Sequence, residues 1–93
     1  MSFLTTLTEL LKQRDEQRPE GSYSTQLFDA GLDRILRKVG EESAELIIAA
    51  KNSDTAELKN EAADLLYHVL VLLQHKGLSI NDITEVLEAR HSK

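Results

Sequence analysis

Residues Arg37–Lys51 read RKVGEESAELIIAAK. Three glutamates, Glu41, Glu42 and Glu45, stand directly ahead of the apolar run Leu46–Ala50. A second stretch, Glu61–Leu73, reads EAADLLYHVLVLL and sets Glu61 and Asp64 against another apolar run. A small chain has few apolar residues to spare, so acids placed beside them need a physical reason.

Helical geometry supplies one. On a wheel of ~100° per residue with Glu41 at zero, Glu45 falls near ~40° and Glu42 near ~100°. Leu32, Ile35, Leu36, Val39, Leu46, Ile47 and Ala50 then occupy roughly 120° to 240°. In the second stretch, with Glu61 at zero, Asp64 falls near ~300° and His68 near ~340°. There Leu58, Leu65, Leu66, Val69, Leu72 and Leu73 run from about 20° to 140°. Each acidic band borders an apolar stripe. An antiparallel pairing of the two helices brings the bands face to face. Carboxylates gathered in this way repel, and the cluster either raises pKa values or recruits a cation. Oxygen ligands without cysteine or paired histidine favour Mg²⁺, Mn²⁺ or Ca²⁺. The competing reading is a pair of solvated glutamate-rich faces, with Arg37 and Glu41 as an ordinary i, i+4 pair.

The composition agrees with helices. Apolar residues make up 41% of the 93 residues and aromatics 4%. Strong helix formers dominate and β-branched runs are scarce. We expect an all-α domain of four to five helices, a bundle completed by homodimerisation, because a chain of this size builds a thin core of its own. Cysteine is absent, which removes disulfides and suits a reducing compartment. The formal net charge of −5 disfavours a nucleic-acid partner. The longest uninterrupted apolar runs fall far short of the ~20 residues that span a bilayer, so no membrane partner is expected. The N-terminus lacks a basic region ahead of its apolar residues, unlike a signal peptide. The expectation is a cytoplasmic protein.

Capping signals set the boundaries. A first helix is expected over about Phe3–Gln17 with Ser2 as N-cap. Pro19–Gly31, PEGSYSTQLFDAG, reads as an irregular connector or binding loop. A helix follows from about Leu32 to Asn52, interrupted by Gly40, which can admit a close neighbour. Ser53 or Asp54 caps the next helix, with Glu57 placed as in a capping box. It runs to about His75, with Gly77 as the C′ residue. Ser79 caps a last helix whose apolar side is Ile80, Ile83, Val86 and Leu87. Tyr67 packs with its hydroxyl at the rim, and His68, one turn after Asp64, reads either as a group that touches the site or as a cap on a polar edge of the core.

EESAE followed after 15 residues by EAAD fits the EExxE…ExxD metal signature of the all-α nucleoside triphosphate pyrophosphatases, the MazG-like superfamily. PEGSYSTQL, KVGEESAELIIAAK, EAADLLYHVLVLL and EARH are similar to the phosphoribosyl-ATP pyrophosphatase family within it. The similarity runs from about Leu4 to His91 and resembles the stand-alone form of that enzyme, without a fused cyclohydrolase domain. It implies Mg²⁺-dependent hydrolysis of 1-(5-phosphoribosyl)-ATP to 1-(5-phosphoribosyl)-AMP and pyrophosphate, the second step of histidine biosynthesis, with Mn²⁺ as a substitute ion. The alternatives are a house-cleaning pyrophosphatase for other nucleoside triphosphates and a non-enzymatic helical dimerisation module.

Carried over from the motif, Glu42, Glu45, Glu61 and Asp64 are the implied metal ligands. Glu41 is implied as a fifth ligand or as the base that orients water, and Glu45 shares the catalytic role. Lys38 is the implied phosphate contact, with Arg34 and Lys51 behind it. Gly21, Ser22 and Tyr23 in the connector, and Arg90 with His91 near the end, match family-like positions that close over a nucleotide substrate.

Overall fold

The computed structural model describes residues 2–92. It contains five helices: α1 (Phe3–Gln17), α2 (Tyr23–Ala30), α3 (Leu32–Lys51), α4 (Thr55–His75) and α5 (Ile80–His91). No strand occurs among the described residues. The all-α expectation is met, with the connector supplying the fifth helix.

The caps explain most of the boundaries. The Ser2 hydroxyl accepts from the Leu4 N–H at 3.1 Å. Asp54 Oδ1 accepts from the N–H groups of Ala56 and Glu57 at 3.0 and 3.1 Å. These bonds satisfy amide donors that have no partner within the first turn. At the end of α4, the Leu78 N–H donates to the Leu73 carbonyl and the Gly77 N–H to that of Gln74. Gly77 takes φ +76° to permit that paired closure. Into α5, the Ser79 N–H donates to the Asp82 carboxylate at 2.8 Å.

Pro19–Gly31 is not a plain connector. Ser22 caps a helix from Tyr23 to Ala30 that buries Ser24, Thr25, Leu27 and Phe28. Arg14 Nη1 donates to Ser22 Oγ at 2.9 Å and pins this cap to α1. Gly31 then serves as both the C-cap of α2 and the N-cap of α3, at φ 93° and ψ −172°. That region is essentially closed to residues with a Cβ, which is why one residue suffices to turn the chain between two helices. Gly40 is helical, and a Cβ built there meets nothing within 4 Å. It therefore makes no close approach within the chain.

Leu11, Leu27, Phe28, Ile35, Leu70 and Val71 form the core, with Leu4, Leu7, Tyr67, Leu72, Leu73 and Ile80 packed around it. The most extensive helix contact is between α3 and α4. α1 lies against α4 and α2, and α5 packs mainly on α1.

The expected burial of the α3 stripe is corrected. Its buried residues are Ile35, Glu42 and Ala49. On the wheel these cluster near ~100°, at the junction of the acidic band and the apolar stripe. Leu36 and Ile47, on the far side of the stripe, stand exposed, Ile47 at 63%. Ile48 is 61% exposed, and Leu66, Ile83, Val86 and Leu87 are also open to solvent. The chain uses its helices' polar–apolar borders for its own hairpin and leaves much of the apolar surface bare.

At Gly31 an added Cβ meets no neighbour, so the whole cost of a side chain is backbone strain. Gly31→Ala is expected to lower unfolding free energy by about 1–3 kcal/mol in urea titrations.

Candidate metal centre

The α3–α4 contact gathers Glu42, Glu45 and Glu61, with one carboxylate oxygen of each lying within 4.8 Å of the others. Glu42 and Glu45 are one turn apart on α3 and project from the same side. Glu61 faces them from the second turn of α4. Glu42 is only 6% exposed. Oε2 of Glu42 and Oε2 of Glu61 are buried without a hydrogen-bond partner. Buried oxygens in that state are costly. They need a proton or a cation.

Among the described residues, one cation makes ion pairs with the cluster. Lys38 Nζ lies 3.5 Å from Glu42 Oε1 and 3.7 Å from Glu41 Oε1. Burial works against the charge on Lys38, but the nearby Tyr23 oxygen and the carboxylates of Glu42 and Glu41 outweigh it, so its proton is held more tightly than usual. A single ammonium cannot balance the acids around it. Glu61 accordingly holds its proton up to about pH 7. The main cause is a hydrogen bond with Glu45, followed by burial and the charges of Glu45, Asp64 and Glu42. Three converging hard oxygens, two of them with an unsatisfied atom, suit a divalent ion such as Mg²⁺ or Mn²⁺.

The remaining candidates are placed unequally. The Asp64 carboxylate is exposed, and its charge acts on Glu61 from outside the trio. Glu41 is half-exposed on the solvent side of Lys38. Arg34 lines a cavity of about 120 Å³ with Tyr23, Gln26, Leu27 and Ala30. Tyr23 leans over α4, its hydroxyl 2.8 Å from His68 Nε2. Ser22 is occupied as the cap of α2 and as the acceptor for Arg14. Lys51 is exposed at the end of α3. Arg90 and His91 are exposed on α5, which packs mainly on α1, so the single chain does not draw them into the acid cluster.

Arg14 was not singled out by sequence, and the partner of His68 was not foreseen. Arg14 fixes Ser22, and the buried His68 joins Tyr23 to α4. Their partners lie 8 and 45 positions away, and the second separation leaves no periodic signal. Ser22 as a cap, with Tyr23, Leu27 and Phe28 on one face before Gly31, was the available signal for α2.

Fold and site together define an all-α protein with a cluster of converging carboxylates in a two-helix hairpin. The sequence model of the family Phosphoribosyl-ATP pyrophosphohydrolase matches residues 4–91. The phosphoribosyl-ATP pyrophosphatase of Leptospira biflexa is 52% identical over 99% of this chain and 100% of its own length. That of Lactiplantibacillus plantarum is 53% identical over 100% of this chain and 88% of its own. The histidine biosynthesis bifunctional protein HisIE of Bacillus subtilis is 53% identical over 97% of this chain, which spans 43% of that longer protein. The chain belongs to the phosphoribosyl-ATP pyrophosphohydrolase family.

The Glu61 shift generates a pH test on metal-free protein. The native state binds its proton more tightly than the unfolded chain, whose carboxyl titrates near 4.5. Stability from this group is therefore greatest below that value and falls as pH rises toward about 7. Asp15, shifted below 3.8 despite its burial because Gln74 and Arg18 bond to it, titrates below this window. In EDTA, the urea midpoint should fall between pH 5 and pH 8, and Glu61→Gln should flatten that change.

Proposed function

We propose that the chain hydrolyses 1-(5-phosphoribosyl)-ATP to 1-(5-phosphoribosyl)-AMP and pyrophosphate. The proposed cofactor is Mg²⁺, with Mn²⁺ able to replace it. The proposed assembly is a homodimer, and the proposed compartment is the cytoplasm. The observation that carries the reading is the convergence of Glu42, Glu45 and Glu61 with two buried oxygens left without partners, in a chain of this family.

Glu42, Glu45 and Glu61 would hold the ion, with Asp64, whose charge acts on Glu61, as the proposed fourth ligand. In the grip of these carboxylates a divalent ion would supply positive charge for the phosphates and a more acidic water. The protein's own groups do the rest. Glu41, exposed beside Lys38, would serve as the base for the attacking water or as a further ligand, and Glu45 is the second candidate base. Lys38 presents a positive charge to the triphosphate while anchored by Glu41 and Glu42. Arg34, which makes no salt bridge among the described residues, offers its guanidinium from the neighbouring cavity.

Support for the homodimer comes from the bare apolar surface. Leu36, Ile47 and Ile48 on α3 and Leu66 on α4 are exposed on the two helices that carry the acids. A second copy is the occupant whose own surface is also apolar, and closed two-fold pairing of equal patches is the commonest arrangement. Ile47→Glu together with Leu36→Glu is expected to halve the mass seen by sedimentation equilibrium. A wild-type chain that sediments as a monomer at working concentration contradicts the dimer.

The activity test is release of pyrophosphate from phosphoribosyl-ATP with Mg²⁺, against a panel of ordinary nucleoside triphosphates. Preference for phosphoribosyl-ATP is expected. Preference for an ordinary nucleotide would replace this reading with a house-cleaning pyrophosphatase. Glu45→Gln and Asp64→Asn each remove part of a stabilisation worth several kcal/mol, so turnover should fall by about 10²-fold or more at ~1.4 kcal/mol per tenfold.

A further inference from the structure

We propose that His68 is a positioning residue that fixes the Tyr23 hydroxyl as a hydrogen-bond acceptor at the mouth of the acid cluster, so that Tyr23 recognises a hydroxyl or amine of the substrate rather than a phosphate. The inference deepens the proposed function and rests on it for the substrate.

The argument starts at the other ring nitrogen. His68 Nδ1 lies 2.7 Å from the backbone carbonyl oxygen of Asp64, one turn earlier on α4. A carbonyl oxygen only accepts, so Nδ1 carries the hydrogen. In the neutral ring Nε2 is then the bare nitrogen and an obligatory acceptor. Its partner at 2.8 Å is the Tyr23 hydroxyl, which must donate. The phenol proton therefore points inward, and the lone pairs of the oxygen point away from His68.

The surroundings hold this polarity. His68 is 5% exposed, so water does not compete for Nε2. Tyr67 meets the His68 ring edge-on at 5.2 Å, and Tyr23 does so at 5.7 Å. The two tyrosine rings stack at 6.1 Å and 26°. These contacts limit rotation of all three rings. Tyr23 itself is 43% exposed and lines the cavity that Arg34 borders. Lys38, 3.5 Å from Glu42, is close enough to feel the Tyr23 oxygen electrostatically, which ties Tyr23 to the acid cluster.

A phosphate oxygen carries no proton to give. With its own proton committed to His68, Tyr23 is a poor partner for the triphosphate. It is a good partner for donors, which on this substrate are ribose hydroxyls and base nitrogens. Tyr23 thus separates two tasks in the cleft: Lys38 and Arg34 take negative charge, and Tyr23 takes a hydroxyl or amine.

The test combines variants with a spectroscopic signature, at pH 8. His68→Asn retains a donor in the place of Nδ1 but is too short to reach Tyr23. Tyr23→Phe removes the hydroxyl and keeps the ring stack. Loss of a net hydrogen bond of about 1 kcal/mol corresponds to roughly a fivefold change. Each variant should raise KM for phosphoribosyl-ATP by about that factor or more and leave kcat within about twofold. Mn²⁺ affinity by titration calorimetry should not change. The double variant should be no worse than the worse single one, because both remove the same bond. His68→Gln, whose amide oxygen reaches the place of Nε2, should restore part of the loss. Nitrogen-15 NMR of the uninhibited protein should show His68 with hydrogen on Nδ1, and Tyr23→Phe should move its Nε2 signal.

Multiplying effects in the double variant would overturn the proposal, as would a fall in kcat at constant KM. Hydrogen on Nε2 of His68 would overturn it even if His68→Asn fails to fold, since Tyr23→Phe and the NMR readout use an intact chain. A wild-type protein that binds Mn²⁺ but releases no pyrophosphate would instead remove the functional reading, while the tautomer result stands or falls separately.

Discussion

The structure turns on one electrostatic constraint: Glu42, Glu45 and Glu61 are forced together by the same α3–α4 contact that builds the hairpin. Ile35 and Ala49 on α3 cannot be buried against α4 without burying Glu42 between them, since the three lie at sevenfold spacing along one face. The hairpin is thus committed to placing negative charge at its centre. Hydrophobic burial at either end of α3 offsets the repulsion, and Lys38 relieves only part of it. The residual imbalance appears in the raised Glu61 pKa and in the two carboxylate oxygens without partners. An arrangement that is unfavourable by itself and favourable around a divalent ion is what a metal-dependent phosphate chemistry requires.

The same rotation of α3 that brings the acids inward carries Leu36 and Ile47 outward. Site and bare surface are two consequences of one helix orientation. A second copy covering that surface would stabilise the hairpin from outside and hold the acids at their separation. On that account assembly and metal binding support one another: Leu36 and Ile47 lie on the far side of α3 from the acids, and Ile48 borders them.

Much of this was legible in the sequence, for definite reasons. Ser2, Asp54, Gly77 and Ser79 marked helix boundaries because caps are local chemistry. The i, i+3 pairs of EESAE and EAAD placed acids on one side of each helix because the period of a helix is fixed. Helix α2 was hidden because Pro19, Gly21 and Gly31 crowd both ends of an eight-residue element, and short helices carry little periodic signal. The buried arc of α3 was also misjudged. A wheel shows which residues share a face, not which face meets a neighbour, and the most apolar face of α3 is not the one used within the chain. The Tyr23–His68 bond joins residues far apart in sequence and exists only through the packing of α2 on α4. Lys51, Arg90 and His91 match a motif, yet the chain alone does not bring them to the acids.

The most direct measurement is anomalous scattering from crystals of the wild-type protein grown with Mn²⁺. The account predicts a strong peak bounded by the carboxylates of Glu42, Glu45 and Glu61, with Asp64 turned toward it. Density without such a peak, with the three glutamates spread into solvent at saturating Mn²⁺, would contradict it.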